Sequence, residues 1–315
     1  MDTVGKIAIV GAGAVGCYYG GKLAQFGQDV HFLMRSDYET VMRDGLHITS
    51  PLGDANLRVN AYRGAADIGP CDLVIIALKA TSNNALLDLL PPLLHEGTHL
   101  LTLQNGLGNE EFLAHHFGAQ RVLGGLCFVC INRLAAGVIH HIAQGRINLG
   151  EHRGAPGQRT HAIANVLMQA GVDCVIEPSL AAARWKKLVW NIPFNGLSIA
   201  EGGIDTAAIL ANARIEQRVR DLMREIIATA QALGHSVPFE LIDDMIERTR
   251  TMSEYRPSSL IDYQEGREVE LEPIWGEPIR QAAEAQLFMP QVAALYEQLK
   301  TLTQNRVALG TRSGP

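Results

Sequence analysis

The segment KIAIVGAGAVG, residues 6–16, decides how the first half of this chain folds. A short apolar run ends at Val10, and Gly11-Ala12-Gly13-Ala14-Val15-Gly16 follows it and opens a stretch with helical periodicity. In such a strand, turn and helix, the first glycine permits the tight turn and the second lets a pyrophosphate approach the backbone. The third lets the helix pack closely on the strand, and the N–H groups that begin the helix bind phosphate. We therefore predict that residues 11–16 bind a dinucleotide.

Further buried strands alternate with helical segments through the first half of the chain. Apolar runs of strand length occupy residues 29–34, 72–78 and 98–103. This alternation predicts a parallel sheet covered on both faces, which is a Rossmann-type α/β domain. Strand-like pieces joined by short turns then predict a more antiparallel extension of the same sheet, and a helix and a strand complete this half. These later segments are residues 121–131, 137–143, 146–150, 157–170 and 172–176.

The second half of the chain has the sequence pattern of an all-helical domain. Strand signals end near Pro178, and long segments of helical periodicity follow. We place the boundary so that residues 1–177 form the nucleotide-binding domain and residues 178–315 the helical domain. The helical segments are residues 180–197, 213–233, 239–250 and 278–302, and Pro193 is expected to kink the first of them.

The second strand indicates which dinucleotide is bound. An NAD-type site places Asp or Glu at the end of this strand, where it bonds the ribose hydroxyls. Arg35 stands there instead, and a guanidinium suits the 2′-phosphate of NADP(H). Asp37, two residues later, leaves an NAD site open as the alternative. Lys79 follows the next strong strand and supplies a second candidate cation at the same edge of the sheet.

Two further groups of polar residues have candidate binding roles. Asn105 follows the strand at residues 98–103, where an amide can bond a ribose or a carboxylate, although a plain Asn-Gly turn explains it equally well. Lys187, Asn191 and Asn195 are spaced by four residues, so on a helix they share one face that drifts by about 40° per step. Their neighbours are apolar, and buried polar groups need partners. Either a substrate or the nearby backbone could supply those partners.

Composition and charge exclude several classes of function. The 315 residues include 33 acidic and 27 basic side chains, with no basic patch, so nucleic acid is not an expected partner. Neither a signal peptide nor a membrane span is expected, because the first apolar run is broken by glycines and no long apolar run follows. The five scattered cysteines are typical of a reducing compartment, which predicts a cytoplasmic protein. The sequence is compatible with a homodimer but does not fix the oligomeric state.

The C-x-x-C pair Cys127 and Cys130 lies in an apolar, strand-like stretch. The chain offers neither a second pair nor a metal-type histidine spacing near it. We therefore predict buried strand cysteines and no metal site.

Taken together, these features resemble the ketopantoate reductase (2-dehydropantoate 2-reductase) family. The resemblance extends over about residues 1–300 in a constant order. It implies an N-terminal Rossmann domain and an all-helical C-terminal domain of the 6-phosphogluconate dehydrogenase C-terminal type, with the active site in the cleft between them. It also implies that the chain reduces a 2-oxo acid with NADPH.

The resemblance assigns the cofactor-binding residues. Residues 11–16 correspond to the pyrophosphate loop, and Arg35 and Lys79 to the cations that bind the 2′-phosphate. Asn105, in QNGLGNEE, corresponds to an amide that touches both cofactor and substrate.

The resemblance also assigns the residues that act on the substrate. Lys187, in WKKLVWN, is similar to the catalytic lysine, and Asn191 and Asn195 to substrate-binding amides. Ser258, in PSSLID, corresponds to a substrate-binding serine. Glu270 corresponds to an acid that serves both catalysis and cofactor binding.

The sequence departs from the family pattern at several positions. The family's P-S-M-L-Q-D run is PSSLID here, and Val269-Glu270-Leu271 replaces a T-E-I. Trp275 stands where an asparagine is usual, and Asp205 stands where a further asparagine would follow Asn195. Three functions are therefore weighed: ketopantoate reduction, reduction of another 2-oxo acid by the same fold, and a non-catalytic NADP(H)-binding regulator. The retained lysine, amides, serine and acid count against the regulator.

Overall fold

The chain forms two compact units, each with its own core. The structure, a computed structural model, describes residues 4–252 and 254–310, with side chains described up to Arg306. One unit contains the described residues up to Asn105 together with Asn109–Leu180. The other contains Gly106–Gly108 and the described residues from Ala181 onward.

The first unit is built on a ten-stranded sheet, counted over the described residues. The strands are β1 (Ile7–Val10), β2 (Val30–Leu33), β3 (Leu46–Thr49), β4 (Ala55–Leu57), β5 (Asn60–Tyr62), β6 (Leu73–Ile76), β7 (His99–Thr102), β8 (Val122–Ala135), β9 (Val138–Glu151) and β10 (Cys174–Ile176). Their order in the sheet is β4-β3-β9-β8-β7-β6-β1-β2-β5, and β10 pairs with β9.

The centre of this sheet confirms the predicted parallel α/β arrangement. Strands β7, β6, β1, β2 and β5 all pair in parallel, and β8 continues the sheet before forming an antiparallel pair with β9. Along β1, Ile7 and Ile9 belong to one apolar cluster, whereas Ala8 and Val10 belong to another. Both faces are therefore buried, which explains why these strands are continuous apolar runs.

The α-helices of the first unit connect these strands. They are α1 (Ala14–Gln25), α2 (Tyr38–Asp44), α3 (Ala65–Ile68), α4 (Leu86–Leu89), α5 (Asn109–Phe117) and α6 (Gln158–Gln169). The sheet curls so that α1 contacts β1 and β2 as well as β3, β4, β8 and β9. Two glycines of α1 allow this close approach: a Cβ at Gly20 would lie 2.6 Å from the Phe32 ring, and one at Gly21 would lie 2.5 Å from Ile48.

The second unit is helical in all of its described regular structure, as predicted. Its helices are α7 (Leu180–Ala200), α8 (Thr206–Ala211), α9 (Ala213–Ala232), α10 (Leu241–Arg250), α11 (Ser258–Gln264), α12 (Glu277–Glu284) and α13 (Pro290–Gly310), with a π-helical turn at Glu272–Gly276. Side chains on facing helices form one apolar core that includes Trp185, Phe194 and Trp275. Among the described helices, none combines the length and the apolar character needed to span a membrane.

The structure differs from the sequence prediction in three places. Strands β3, β4 and β5 were not predicted, because they are short and only half-buried and so lack a clear apolar run. The helix predicted at residues 278–302 is two helices, α12 and α13, which are separated where Gln286 adopts a φ of 59°. The strand-like pieces predicted at residues 137–143 and 146–150 form the single strand β9, whereas α7 runs through Pro193, as the predicted helix over residues 180–197 does.

Candidate active site

The predicted dinucleotide turn lies at the carboxyl end of β1. Gly11 has a φ of 105°, and a Cβ there would lie 2.3 Å from the Leu78 nitrogen. A Cβ at Gly16 would lie 2.1 Å from the Gly11 carbonyl oxygen, whereas one at Gly13 would meet no atom within 4 Å. The first and third glycines are therefore required by packing. The second, which is the N-cap residue of α1, leaves open space at the helix N-terminus where a pyrophosphate fits.

Strand register brings the other predicted cofactor residues to the same edge of the sheet. Val10 is in register with Leu33 on one side and with Ile76 on the other, and Ile76 is in register with Thr102. Arg35, Lys79 and Asn105 follow Leu33, Ile76 and Thr102 respectively, so all three emerge at the carboxyl ends of parallel strands beside residues 11–16. The order of strands reverses at β1, and ligands of such sheets bind at this point.

The acidic alternative to Arg35 is engaged by protein groups. Asp37 is 4% exposed, and its carboxylate accepts a bidentate pair of hydrogen bonds from Arg133 together with the N–H of Gly137 at 3.0 Å. Burial alone would raise the pKa of Asp37, but hydrogen bonds from Arg133, Ser36 and Gly137 outweigh burial and lower it. Arg35, by contrast, is exposed and makes no ion pair within the described chain. This arrangement favours the arginine over the carboxylate as the ribose-end ligand.

The Asp37–Arg133 pair predicts a specific pH dependence of stability. Because the pKa of Asp37 is lower in the folded state, its stabilisation is present above the unfolded-state pKa of about 3.9 and is lost as the pH falls toward the folded-state pKa. Asp37→Asn is therefore expected to lower the free energy of unfolding at neutral pH by ~1–3 kcal/mol, with a difference that shrinks below about pH 4. Urea unfolding of both proteins across this pH range measures it. A difference that is constant with pH would contradict the assigned ion pair.

The second unit carries the predicted lysine and amides on one helix face. Lys187, Asn191 and Asn195 lie on α7 at the spacing that places them on the same side. Lys187 is half-buried, and Asn191 is 8% exposed. An amide on such a face can both accept and donate hydrogen bonds, so this position suits a polar ligand.

Asn195 connects α7 to the predicted serine. Its Oδ1 accepts the backbone N–H of Ser259 at 3.0 Å, and the side chain is 2% exposed. Ser258, which precedes this contact, is the exposed first residue of α11. Glu270 is half-buried in the connection that leads to the π-helical turn. The structure thus joins the Asn195 oxygen to the segment that carries Ser258.

The cysteines have the surroundings of structural thiols. No disulfide joins the five, all of which lie in the described part of the chain. Cys127 and Cys130 lie on β8, as predicted, but are only half-buried. Burial raises the pKa of Cys17 and of Cys174 to about 12 and that of Cys71 to about 11. Over residues 4–252 and 254–310, no three His, Cys, Asp or Glu side chains are arranged to hold a metal ion.

Comparisons with known proteins cover both units. The family model for ketopantoate reductase PanE/ApbA matches residues 7–154, and the model for the ketopantoate reductase PanE/ApbA C terminal matches residues 179–303. The 2-dehydropantoate 2-reductase of Nostoc sp. (strain PCC 7120) is 44% identical over 305 residues, 94% of this chain and 95% of that protein. The chain belongs to the ketopantoate reductase family. The matched ranges include every predicted site residue.

Solved structures of the ketopantoate reductase fold agree with this assignment. The 2-dehydropantoate 2-reductase of Geobacter metallireducens GS-15 is 46% identical, with a TM-score of 0.92, and the alignment covers 94% of this chain and 99% of that one. The D-mandelate dehydrogenase solved with NADH and anilino(oxo)acetate has a TM-score of 0.87 and covers 95% of this chain and 98% of its own. At 20% identity, that likeness concerns the fold alone.

The departures from the ketopantoate reductase pattern have structural roles here. Trp275 is fully buried in the core of the second unit, and its indole N–H donates to the Ile192 carbonyl at 3.2 Å. Asp205 is the N-cap residue of α8, where its side chain accepts the N–H of Ala208. Each substitution therefore replaces an amide by a residue that stabilises the helical unit.

Three residues that contact Asp37 or Asn105, or a residue bonded to Asn105, were not predicted from the sequence. Arg133, which engages Asp37, lies 96 positions away in the chain. Asn83 and Asn109 hydrogen-bond to each other at 3.0 Å, and Asn109 donates to the Asn105 carbonyl at 2.9 Å. Only the position of Asn109, directly after the QNGLG turn, offered a signal for this contact.

Proposed function

We propose that this chain catalyses the NADPH-dependent reduction of 2-dehydropantoate to (R)-pantoate. Its family and its 44% identity to a 2-dehydropantoate 2-reductase support the proposal. The structural observation that carries it is the polar face of α7. There the half-buried Lys187 shares one helix face with two buried amides, Asn191 and Asn195, which are 8% and 2% exposed. Such a face suits a small molecule that carries a keto oxygen and further polar groups.

The residues of the first unit suit NADP(H) in particular. The N-terminus of α1 and the open space at Gly13 fit a pyrophosphate. Arg35 would bind the 2′-phosphate with Lys79 as a second cation, since Asp37 is committed to Arg133. When bound, NADPH supplies the hydride that the C2 carbon of the substrate accepts.

The residues of the second unit would bind the substrate and complete the reduction. As C2 becomes tetrahedral, the ketone oxygen gains negative charge, and an ammonium placed against it stabilises the transition state more than the ground state. Lys187 would supply that charge and donate the proton that converts the oxygen to a hydroxyl. Asn191, the Nδ2 group of Asn195 and Ser258 would hold the carboxylate and hydroxyl of the substrate. Glu270 would orient Lys187 or a cofactor hydroxyl.

A panel of 2-oxo acids tests the proposed function. NADPH oxidation by the purified chain is followed with 2-dehydropantoate beside aliphatic and aromatic 2-oxo acids. We expect 2-dehydropantoate to give the highest kcat/KM. A higher kcat/KM with another member would assign a different reductase substrate, whereas tight NADPH binding without turnover of any member would indicate a regulator.

The cofactor assignment predicts the effect of removing one guanidinium. Arg35→Ala is expected to weaken NADPH binding by about 10- to 100-fold, because a charge-assisted contact contributes ~1.5–3 kcal/mol, while NADH binding stays unchanged. Fluorescence titration with each cofactor measures both values. Arg43→Ala, at another exposed arginine of the same unit, is the control. An equal loss for both cofactors would contradict the assignment.

We also place this reaction in the cytoplasm. The support is that none of the five cysteines forms a disulfide and that three of them lie where burial keeps the thiol protonated.

A further inference from the structure

A chain of side-chain hydrogen bonds lies at the carboxyl end of β7. The Thr102 hydroxyl donates to Gln104 Oε1 at 2.9 Å, and Gln104 Nε2 donates to Asn83 Oδ1 at 2.7 Å. Asn83 Nδ2 then donates to Asn109 Oδ1 at 3.0 Å, and Asn109 Nδ2 donates to the Asn105 carbonyl at 2.9 Å. We call these five residues the amide relay. All four bonds donate in the same direction along the series, and the last of them ends on the Asn105 carbonyl.

The relay is buried and tightly determined. Thr102 is fully buried, Gln104 is 4% exposed and Asn109 is 1% exposed. The Thr102 hydroxyl also accepts the backbone N–H of Gln104 at 3.2 Å, which fixes the first donor in the series. Hydrogen bonds aligned head to tail in a low-dielectric interior strengthen one another, and no amide in the series can flip without breaking two of them.

The relay joins two cofactor segments of the same unit. Asn83 lies in the short 3-10 helix at Ala80–Ala85, for which Lys79 is the N-cap residue. Asn109 is the first residue of α5 and closes the turn that Asn105 begins. We propose that Asn83 and Asn109 are positioning residues that fix the Asn105 amide and the Lys79 segment relative to each other. This inference rests on the proposed function, in which Lys79 is the second cation for NADP(H), and on the family resemblance, which gives Asn105 as an amide that touches cofactor and substrate.

The direction of the bonds provides a sharp test. In Asn109→Asp the side-chain shape is kept, but an ionised carboxylate cannot donate to the Asn105 carbonyl. When protonated, the introduced carboxyl offers one O–H donor and a carbonyl acceptor, which are the two bonds that the Asn109 amide makes in the relay, so the relay is restored. The titratable side chains on the elements that carry the relay are Lys79, Glu110 and Glu111 together with His99, His115 and His116, and Glu110 is 3% exposed. Because the histidines are common to every variant, each variant is compared with the parent chain at the same pH. Burial and a neighbouring acid both favour the protonated form of the introduced carboxyl as the pH falls.

The experiment compares kcat, KM and NADPH binding across pH. At about pH 8 we expect Asn109→Asp to lower kcat about 10- to 100-fold, which is the cost of misplacing a reacting group by about 1 Å. Relative to the parent chain, this loss should shrink as the pH falls to about 5, because burial raises the pKa of a carboxyl at this 1% exposed position above its ordinary value of about 3.9. Asn109→Ala should stay low at both values. Asn83→Asp, at a half-buried position where burial raises the pKa less, should also recover, but at a lower pH than Asn109→Asp.

The control and the contrary outcomes are distinct. Asn84→Asp changes the exposed neighbour of Asn83 and should match the parent chain at both pH values. If both Asp variants keep parental kcat at pH 8, or lose activity without recovery at low pH, the relay is only structural and the inference is wrong. Absence of turnover in the parent chain itself would instead overturn the proposed function. In that event, NADPH affinity is measured by fluorescence titration across pH. A pH-dependent loss of NADPH affinity in the Asp variants would still support the relay, and an affinity equal to that of the parent chain would refute it.

Discussion

Replacing Lys187 with alanine is expected to lower kcat for 2-dehydropantoate reduction by about 10²- to 10⁴-fold, the usual contribution of a positioned proton donor. The physical reason is that the developing alkoxide loses both its cation and its proton source. NADPH affinity should change little, because the residues proposed to bind the phosphates of the nucleotide belong to the other unit. Steady-state kinetics with a separate NADPH titration measure the two effects.

Lys186 supplies the matched control for this prediction. It is the preceding residue on α7, and its side chain is exposed rather than half-buried. Lys186→Ala should therefore retain turnover close to that of the parent chain. Comparable losses in both variants, or near-normal turnover of a folded Lys187→Ala protein, would remove Lys187 from the mechanism.

Replacing Gly16 with alanine is expected to cost both stability and nucleotide affinity. The new Cβ would lie 2.1 Å from the Gly11 carbonyl oxygen, so the turn and the first turn of α1 must move apart. Overpacking of this kind costs ~1–3 kcal/mol of folding free energy. Displacing the N–H groups that hold the pyrophosphate, at ~1.5–3 kcal/mol each, should weaken NADPH binding by about 100-fold. Thermal unfolding and a binding titration measure these two losses.

Substitutions at two other glycines distinguish the expected loss of folding stability from the expected loss of NADPH affinity. Gly157 is likewise the N-cap residue of a helix with open space for a Cβ, but it belongs to α6, so Gly157→Ala should change neither quantity. Gly13→Ala should leave stability intact and weaken NADPH binding, since the added methyl group occupies the space proposed for the pyrophosphate. Unchanged NADPH affinity in both Gly13→Ala and Gly16→Ala would show that the nucleotide does not bind at this turn.

The central strands and the long helices could be predicted because burial alone determines their patterns. Strand β1 is buried along its whole length, and α9 has one continuous apolar stripe, so each stands out in sequence. Strand β5 has a single buried residue among three, and its pairing partner β2 is distant in the chain. No local pattern distinguishes such a strand from a loop.

The residues of the candidate site could be predicted where they lie on one element. Contacts between residues of distant elements could not be predicted. The spacing of Lys187 and its two asparagines is a property of one helix, so the sequence predicts the shared face. The Asp37 carboxylate is bonded by Arg133, and Asn109, which donates to the Asn105 carbonyl, is bonded by Asn83. These contacts join residues far apart in the chain, and only the folded structure brings them together.

The packing of Trp275 against α7 has a consequence for how this family can diverge. A Cβ at Gly196 would lie 3.1 Å from the indole nitrogen of Trp275 and 2.7 Å from Leu295. A side chain larger than glycine at position 196 would therefore require Leu295 and the Trp275 indole to move. Because Asn195 immediately precedes this glycine, such a movement would reach the helix face proposed to bind the substrate. The core behind α7 thus limits which residues of this helix the family can vary independently.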